Sequence, residues 1–557
     1  MTGADAVVRL MQHHGVQHVF GLCGDTSLPL YDSLARLDHG ITHILTRDER
    51  HAAYMADAYA RLTNRVGICE GPSGGGATYI LPGVAEANDS SVPLIAMTTD
   101  IAVSGRGKFT LTELDQKALF APITKYNDVI DRAAEIPATL CRAFKEATSG
   151  KPGAVHLGLP FDVQRDPVDD GDVAGDPTFG RVPAERPMGD LRAIARTASL
   201  LADARMPIFI CGGGVVTSGA EDVLQSLAER LDAPVATTIT GQGAIAETHP
   251  LALGVVGSNG GTPETRAVVE QADLVVFVTC RAGSVTTERW QYPAAGEAKI
   301  VQIDIDPAVI GATYEPDAAI VGDVRLILEA LLVELAGPTA ETGAQAIVAE
   351  ARRAKFAAFD MLAQADATPI RPERLVADLR AVMPDDGVVV VDPGTPCPYF
   401  SAYYTLPRAG RHLISNRAHG ALGYALPAII GAQTARPDVP CVAVMGDGSF
   451  GMAAGEMETM VRLNLPVTLV VVANAHYGWI RAGQRHRYDA RFFATSFSRT
   501  DHARVAEGFG LKAWSVENPP ALRGALAEAI AHDGPSLVDV TCQPLDEANA
   551  PVSEWVA

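Results

Sequence analysis

Asp447 and Asn474 are the side chains whose types and setting most openly offer chemistry, a carboxylate and an amide each placed at the end of a short apolar run. Residues 441–445 and 467–472 are rich in β-branched side chains and predict two strands, and between them Met457, Met460, Val461 and Leu463 recur at helical spacing. Strand, helix and strand form one crossover unit. Its right-handed connection makes the strands parallel and opens both carboxyl ends on the same sheet edge, so the two oxygen donors are expected to converge. Gly446 and Gly448 would let backbone approach a phosphate closely, and the following helix would point free N–H groups and its positive end at that anion. A divalent ion bridging carboxylate, amide oxygen and diphosphate suits Mg²⁺. The plainer alternative is a tight turn between a core strand and a helix.

The pattern Gly446-Asp447-Gly448, a helix, Asn474, then Tyr477-Gly478 resembles the cofactor motif of thiamine diphosphate (ThDP) enzymes of the acetolactate synthase and 2-oxo acid decarboxylase superfamily. That resemblance implies Mg²⁺ held by the side chains of Asp447 and Asn474 and by the backbone carbonyl of His476. Many members have two asparagines where this chain has Ala473-Asn474, and the ligand corresponds to the second. The resemblance further implies diphosphate contacts from Gly394 and Thr395, after a strand expected at 388–391, and from Gly446, Gly448 and Ser449. Leu422 matches the bulky apolar residue that props thiazolium against pyrimidine. On spacing alone Leu422 reads equally well as a core leucine.

A strand expected at 41–45 is followed by Thr46, Arg47, Asp48 and Glu49, then a helix through Ala52, Ala53, Ala56 and Tyr59 to Arg61. The segment resembles the one carrying the family's essential glutamate. It makes Glu49 the catalytic activator, a carboxyl bonded to N1′ of the aminopyrimidine that favours the imino tautomer needed to deprotonate the thiazolium. Read from the residues alone, Thr46 and Glu49 also have capping-box spacing, and a first-turn glutamate is favoured by the helix dipole without any catalysis. The glycine-rich stretch 71–76 could cradle phosphate or merely permit packing. By resemblance it is assigned to the wall of the site.

Elements able to position these groups follow a strand and helix rhythm that breaks twice. The fold class expected is α/β, with three doubly wound domains on parallel sheets: a pyrimidine-binding domain at 1–165, a central nucleotide-binding-like domain at 190–336 and a diphosphate-binding domain at 371–545. A polar linker at 164–187 and a helical connector at 340–365 separate them. The first and third regions share size and rhythm. With 557 residues, 47% of them hydrophobic, each domain can bury a full core, and a net charge of −21 argues against nucleic acid and anionic membrane partners. Neither a leader at the start nor a bilayer-spanning run is read, and the 8 scattered cysteines lack CxxC pairs, which fits a reduced cytoplasmic protein. Cys23 and Cys397 sit in glycine-rich turns that could face the site.

The central region most resembles acetolactate synthase. Residues 212–215, 240–243, 254–257, Arg281 and 304–307 fall where that family binds the adenine dinucleotide part of FAD. Yet Ser258-Asn259-Gly260 replaces a usual Met-His-Gly, and Ala282-Gly283-Ser284 replaces an acidic pair, so FAD, an ADP-containing nucleotide and no ligand all stay open. Synthases usually carry Phe-Gln-Glu where this chain has Leu111-Thr112-Glu113, and the residue type that positions a second pyruvate is missing. Candidate pocket residues are Cys23, Thr112, His419 and Trp479. His419 reads equally as a buried, hydrogen-bonded histidine, and the tail at 551–555 could cover the site or be loose.

The expectation is a ThDP- and Mg²⁺-dependent enzyme that makes or breaks a carbon–carbon bond beside a carbonyl. Its leading form is acetolactate synthase-like decarboxylation and carboligation of a 2-oxo acid, and the alternative is a 2-hydroxyacyl-CoA lyase or oxalyl-CoA decarboxylase acting on an acyl-CoA. A nicotinamide oxidoreductase would need an acidic ribose contact that is absent after residues 212–214, and a silent binding protein would lack Glu49. Because Glu49 and Asp447 lie in domains that meet across subunits in the family, a homodimer or homotetramer is expected.

Overall fold

The computed structural model describes residues 1–335 and 342–555. The end expected for the central region at Ala336, and the start of the connector at Ala340, lie outside the described residues.

Long runs of β-branched residues are buried on both faces only when helices cover both sides of a parallel sheet. Three such sheets organise the chain. The first contains β1 (His18–Gly21), β2 (Thr42–Leu45), β3 (Gly67–Gly71), β4 (Leu94–Asp100), β5 (Tyr126–Val129) and β6 (Ala154–Pro160), ordered β2-β1-β3-β4-β6-β5. The second contains β7 (Pro207–Cys211), β8 (Val235–Thr237), β9 (Ala252–Val255), β10 (Leu274–Val278), β11 (Lys299–Asp304) and β12 (Ala318–Val321), ordered β12-β11-β10-β7-β8-β9. The third contains β13 (Val388–Val391), β14 (Leu413–Ile414), β15 (Cys441–Gly446), β16 (Val467–Ala473), β17 (Lys512–Val516) and β18 (Ser536–Thr541), ordered β14-β13-β15-β16-β18-β17. Every pairing is parallel, as the α/β expectation requires.

Each sheet has a winding reversal near its middle, between β1 and β3, between β7 and β10, and between β13 and β15. In open α/β sheets the crevice outside the carboxyl ends at such a reversal is where ligands bind. The loops opening there carry Cys23 and the 71–76 glycines in the first sheet, Gly212 and Arg281 in the second, and Thr395 and Asp447 in the third.

The chain divides into two compact units. One joins Met1–Glu185 to two segments from later in the chain, Asn416–Pro437 and Ala453–Leu465; the other holds the central sheet and the third sheet. Within the first unit the helix Ala425–Ala435 packs on the helix Glu49–Thr63. The former is buried from Ala425 to Gln433, as a helix apolar all round must be. Glycine is required at the crossing, since a Cβ on Gly431 would stand 2.1 Å from the Met55 carbonyl oxygen.

Candidate functional site

In the first unit Glu49 opens the helix Glu49–Thr63, and the cap is its neighbour. Asp48 accepts a hydrogen bond from the Arg50 backbone N–H at 2.8 Å and pairs with the Arg50 guanidinium at 2.6 Å. Thr46 Oγ1 instead donates to the Asp48 carbonyl at 3.1 Å. The capping box read from Thr46 and Glu49 is therefore not formed: the helix starts two residues later than that motif needs, and Glu49 is not required as a cap. Glu49 is only 6% exposed, and burial raises its pKa, helped by the charges of Asp48 and Glu70. The glycine loop forms its wall. A Cβ on Gly71 would lie 3.2 Å from Glu49 Cγ, and one on Gly76 would lie 3.1 Å from Glu49 Oε1.

A chain of hydroxyls fixes that loop. Thr99 Oγ1 meets Thr26 Oγ1 at 2.7 Å, Thr26 Oγ1 donates to Ser73 Oγ at 3.2 Å, and Ser73 Oγ meets Thr112 Oγ1 at 2.7 Å. Thr112 is thus pinned to the glycine loop, with a positive φ of 68°. Cys23 is exposed in the loop after β1, whereas Cys397 is fully buried among Ser401 and Ser415 and cannot face a site. Apolar packing of the helix Pro396–Tyr403 overrode the glycine-turn signal there.

Sequence gave no sign of Glu86 or Glu456. The fully buried Glu86 carboxylate accepts backbone N–H bonds from His419 at 2.8 Å, Gly420 at 3.2 Å and Ala418 at 3.4 Å, and Arg61 pairs with it at 3.2 Å. It holds the loop that carries His419 and Leu422. The His419 side chain is exposed, which removes the reading of a buried, hydrogen-bonded histidine. Leu422 is half-buried. Glu456, equally buried, accepts from the Arg47 N–H at 2.8 Å and lies 3.0 Å from His51 Nδ1, bracing the turn that delivers Glu49. Such partners are hundreds of residues apart and leave no local pattern.

In the second unit β15 and β16 lie side by side with Gly446 opposite Val472, which sets Asp447 beside the turn that follows β16. Asp447 Oδ2 accepts from the N–H groups of Asn474 at 2.7 Å and Ala475 at 2.5 Å, while Oδ1 accepts from Gly448 at 3.0 Å. Asn474 Oδ1 in turn accepts from His476 N–H at 3.2 Å across Ala475, whose φ is +60°. Burial pushes the Asp447 carboxyl up, against those donors, which favour its ionised form. Ser449 is buried, Gly446 faces open space, and Gly448 is needed because a Cβ there would stand 2.7 Å from the Tyr477 ring. Thr395 is drawn in as well: a Cβ on Gly478 would lie 2.6 Å from Thr395 Oγ1, so the turn bearing Gly394 and the turn after Asn474 touch. Trp479 packs 5.3 Å from the ring of Trp555.

These groups fit a hard cation. Among the described residues no cluster of three His, Cys, Asp or Glu side chains could hold a metal, but the donors here are of another kind: one buried carboxylate and the Asn474 amide beside it. A cation of oxygen preference would offset the cost of burying Asp447 as an anion.

Three family models match in order along the chain: the N-terminal TPP binding domain of thiamine pyrophosphate enzymes at residues 1–119, their central domain at 194–331 and their C-terminal TPP binding domain at 392–540. The chain belongs to the thiamine pyrophosphate enzyme family. It is a ThDP-dependent enzyme, and its three parallel sheets are those of the family's three domains. Among its curated relatives are probable acetolactate synthase large subunits of Methanococcus aeolicus, 35% identical over 98% of this chain and 92% of the relative, and of Methanocaldococcus jannaschii, 35% identical over 98% and 93%. The acetolactate synthase of Arthrospira platensis is 33% identical over 97% of this ThDP enzyme and 94% of the relative. Among the described residues no helix is long and apolar enough to cross a membrane.

Proposed function

We propose that this ThDP enzyme is Mg²⁺-dependent and, like the acetolactate synthases it resembles, decarboxylates a 2-oxo acid and joins the remaining acyl unit to a second carbonyl compound. The observation that supports this most is the Asp447 carboxylate, buried at the winding reversal of the third sheet and in contact with the turn of Asn474. Asp447, Asn474 and the His476 carbonyl hold the ion. Gly394, Thr395, Gly446, Gly448 and Ser449 receive the diphosphate, and Leu422 supports the cofactor rings. ThDP, when bound, supplies a carbon nucleophile that adds to a carbonyl and an electron sink for the pair released with CO₂. Glu49 exchanges a proton at its carboxyl, for which a buried wall and a raised pKa suit it. Cys23, Thr112, His419 and Trp479 line the approach of the substrate. Residues 1–165, 190–336 and 371–545 are the pyrimidine-binding, central and diphosphate-binding domains, and the working form is a homodimer or homotetramer.

Supply of ThDP, Mg²⁺ and pyruvate should release CO₂ and give acetolactate, with a panel of 2-oxo acids ranking the donors. Turnover of a 2-hydroxyacyl-CoA with none of any 2-oxo acid would move the assignment to the lyase. Light scattering that found an active monomer would overturn the assembly.

A further inference from the structure

Resemblance to acetolactate synthases implies FAD in the central domain, and the loops of this chain at that place are already engaged. Ser258, Asn259 and Gly260 pair in strand fashion with the tail: Gly260 N–H donates to the Pro551 carbonyl at 2.9 Å, Ser553 N–H donates to the Ser258 carbonyl at 3.0 Å, and Asn259 bridges Val552 in antiparallel sense. The second departure from the flavin-binding pattern, at residues 282–284, leads into a loop held by the same tail. Ser553 Oγ donates to Glu288 Oε2 at 2.7 Å, and Glu554 pairs with Arg289 Nε at 2.7 Å. Glu288 is itself clamped by Arg266 through two bonds of 2.8 Å, and Trp290 Nε1 donates to the Ala282 carbonyl at 3.1 Å. On its other side Gly260 abuts the helix Pro396–Tyr403, where a Cβ would stand 2.6 Å from Ser401 Cβ. Trp555 in the tail stacks 5.2 Å from His486 and lies 5.3 Å from Trp479, its ring tilted against that one.

We infer that the tail at 551–555 takes the place of the flavin end of FAD, making this a flavin-independent member whose central loops are closed by its own chain. One segment that departs from the flavin-binding pattern pairs directly with the tail, and the other leads into the loop at Glu288 and Arg289 that the tail holds. Two backbone hydrogen bonds, a hydroxyl bond and an ion pair fix the tail, and a ring stack anchors Trp555. One observation speaks the other way: the buried Asn259 amide has no protein partner at Oδ1 or Nδ2, as a polar guest would require. FAD is therefore the probe.

Two measurements on the full chain test this, neither depending on turnover or on ThDP. Fluorescence titration with FAD should show no saturable binding, with any Kd weaker than about 10⁻⁴ M. Tight stoichiometric FAD would overturn the inference. Hydrogen exchange read by mass spectrometry should find the amides of 258–260 protected, and exchange should quicken about tenfold or more when the chain stops after Ala550, or in Ser553→Pro, which lacks the donor to Ser258. Equal protection with and without the tail would also overturn it.

Discussion

The first and third sheets share one strand order, with the second strand outermost, then the first, third and fourth, and the sixth inside the fifth. Yet they present different chemistry along equivalent edges. In the first sheet Glu49, the acid proposed to exchange a proton, follows the second strand and heads a long helix, walled by glycines from the loop after the third; its carboxyl is buried and its pKa raised. In the third sheet the acid follows the third strand, and an amide follows the fourth, one strand away. That carboxylate is gripped by backbone donors, and it is the one proposed to hold a cation. Topology therefore fixes where ligands can bind, and the residue that ends each strand decides what the edge does.

The largest way to separate the two edges is Glu49→Gln. Turnover should fall by a factor of about 10² to 10⁴, the scale of a lost acid–base group, while ThDP stays bound. Steady-state assay beside a ThDP titration checks this, and a loss of binding equal to the loss of rate would erase the distinction. Gly431→Ala comes next, because its Cβ would meet the Met55 backbone at 2.1 Å in the helix pair supporting the first edge. It should cost about 1–3 kcal/mol, readable by urea unfolding, and a neutral result would mean that the helices are not in contact.

Two glycines sharpen the third edge. Gly448→Ala drives a methyl into the Tyr477 ring and should weaken ThDP binding, whereas Gly446→Ala meets no atom within 4 Å in the protein alone. If both positions face diphosphate, Gly446→Ala should weaken ThDP binding yet shift stability by no more than about 0.5 kcal/mol without it. Loss of stability with unchanged binding would remove Gly446 from the site.

The smallest effect is one of pH. The Glu49 pKa is raised by burial, so its share of stability is present below the ordinary carboxylate range and lost as pH rises through the raised value. Without ThDP, Glu49→Gln should therefore melt higher than the parent near neutrality, and the gap should close on acidification. A gap that widened in acid would mean that Glu49 is stabilised as an anion.

Much of this was legible in the sequence because the signals were local. The β-branched runs of β7, β15 and β16 mark strands outright, and the residues ending β15 and β16 had to share an edge once the crossover was right-handed. Short or edge strands escaped: β14 has only two residues, and β12 ends on a Val321 that is 43% exposed. Glu86 and Glu456 escaped for a different reason. Each looks like an ordinary helical glutamate, and its role appears only when folding brings in partners 333 and 409 residues away. The Thr46 and Glu49 spacing was misleading, since Asp48 caps the helix and Glu49 is free of that duty.

The division of labour between the two edges is tested most directly by isothermal calorimetry of ThDP with Mg²⁺ into the parent protein, Asp447→Ala and Glu49→Gln, with circular dichroism confirming that each is folded. The expected result is saturable binding by the parent and Glu49→Gln, and none by Asp447→Ala. Undiminished binding by Asp447→Ala would contradict the assignment of cation and diphosphate to the third sheet.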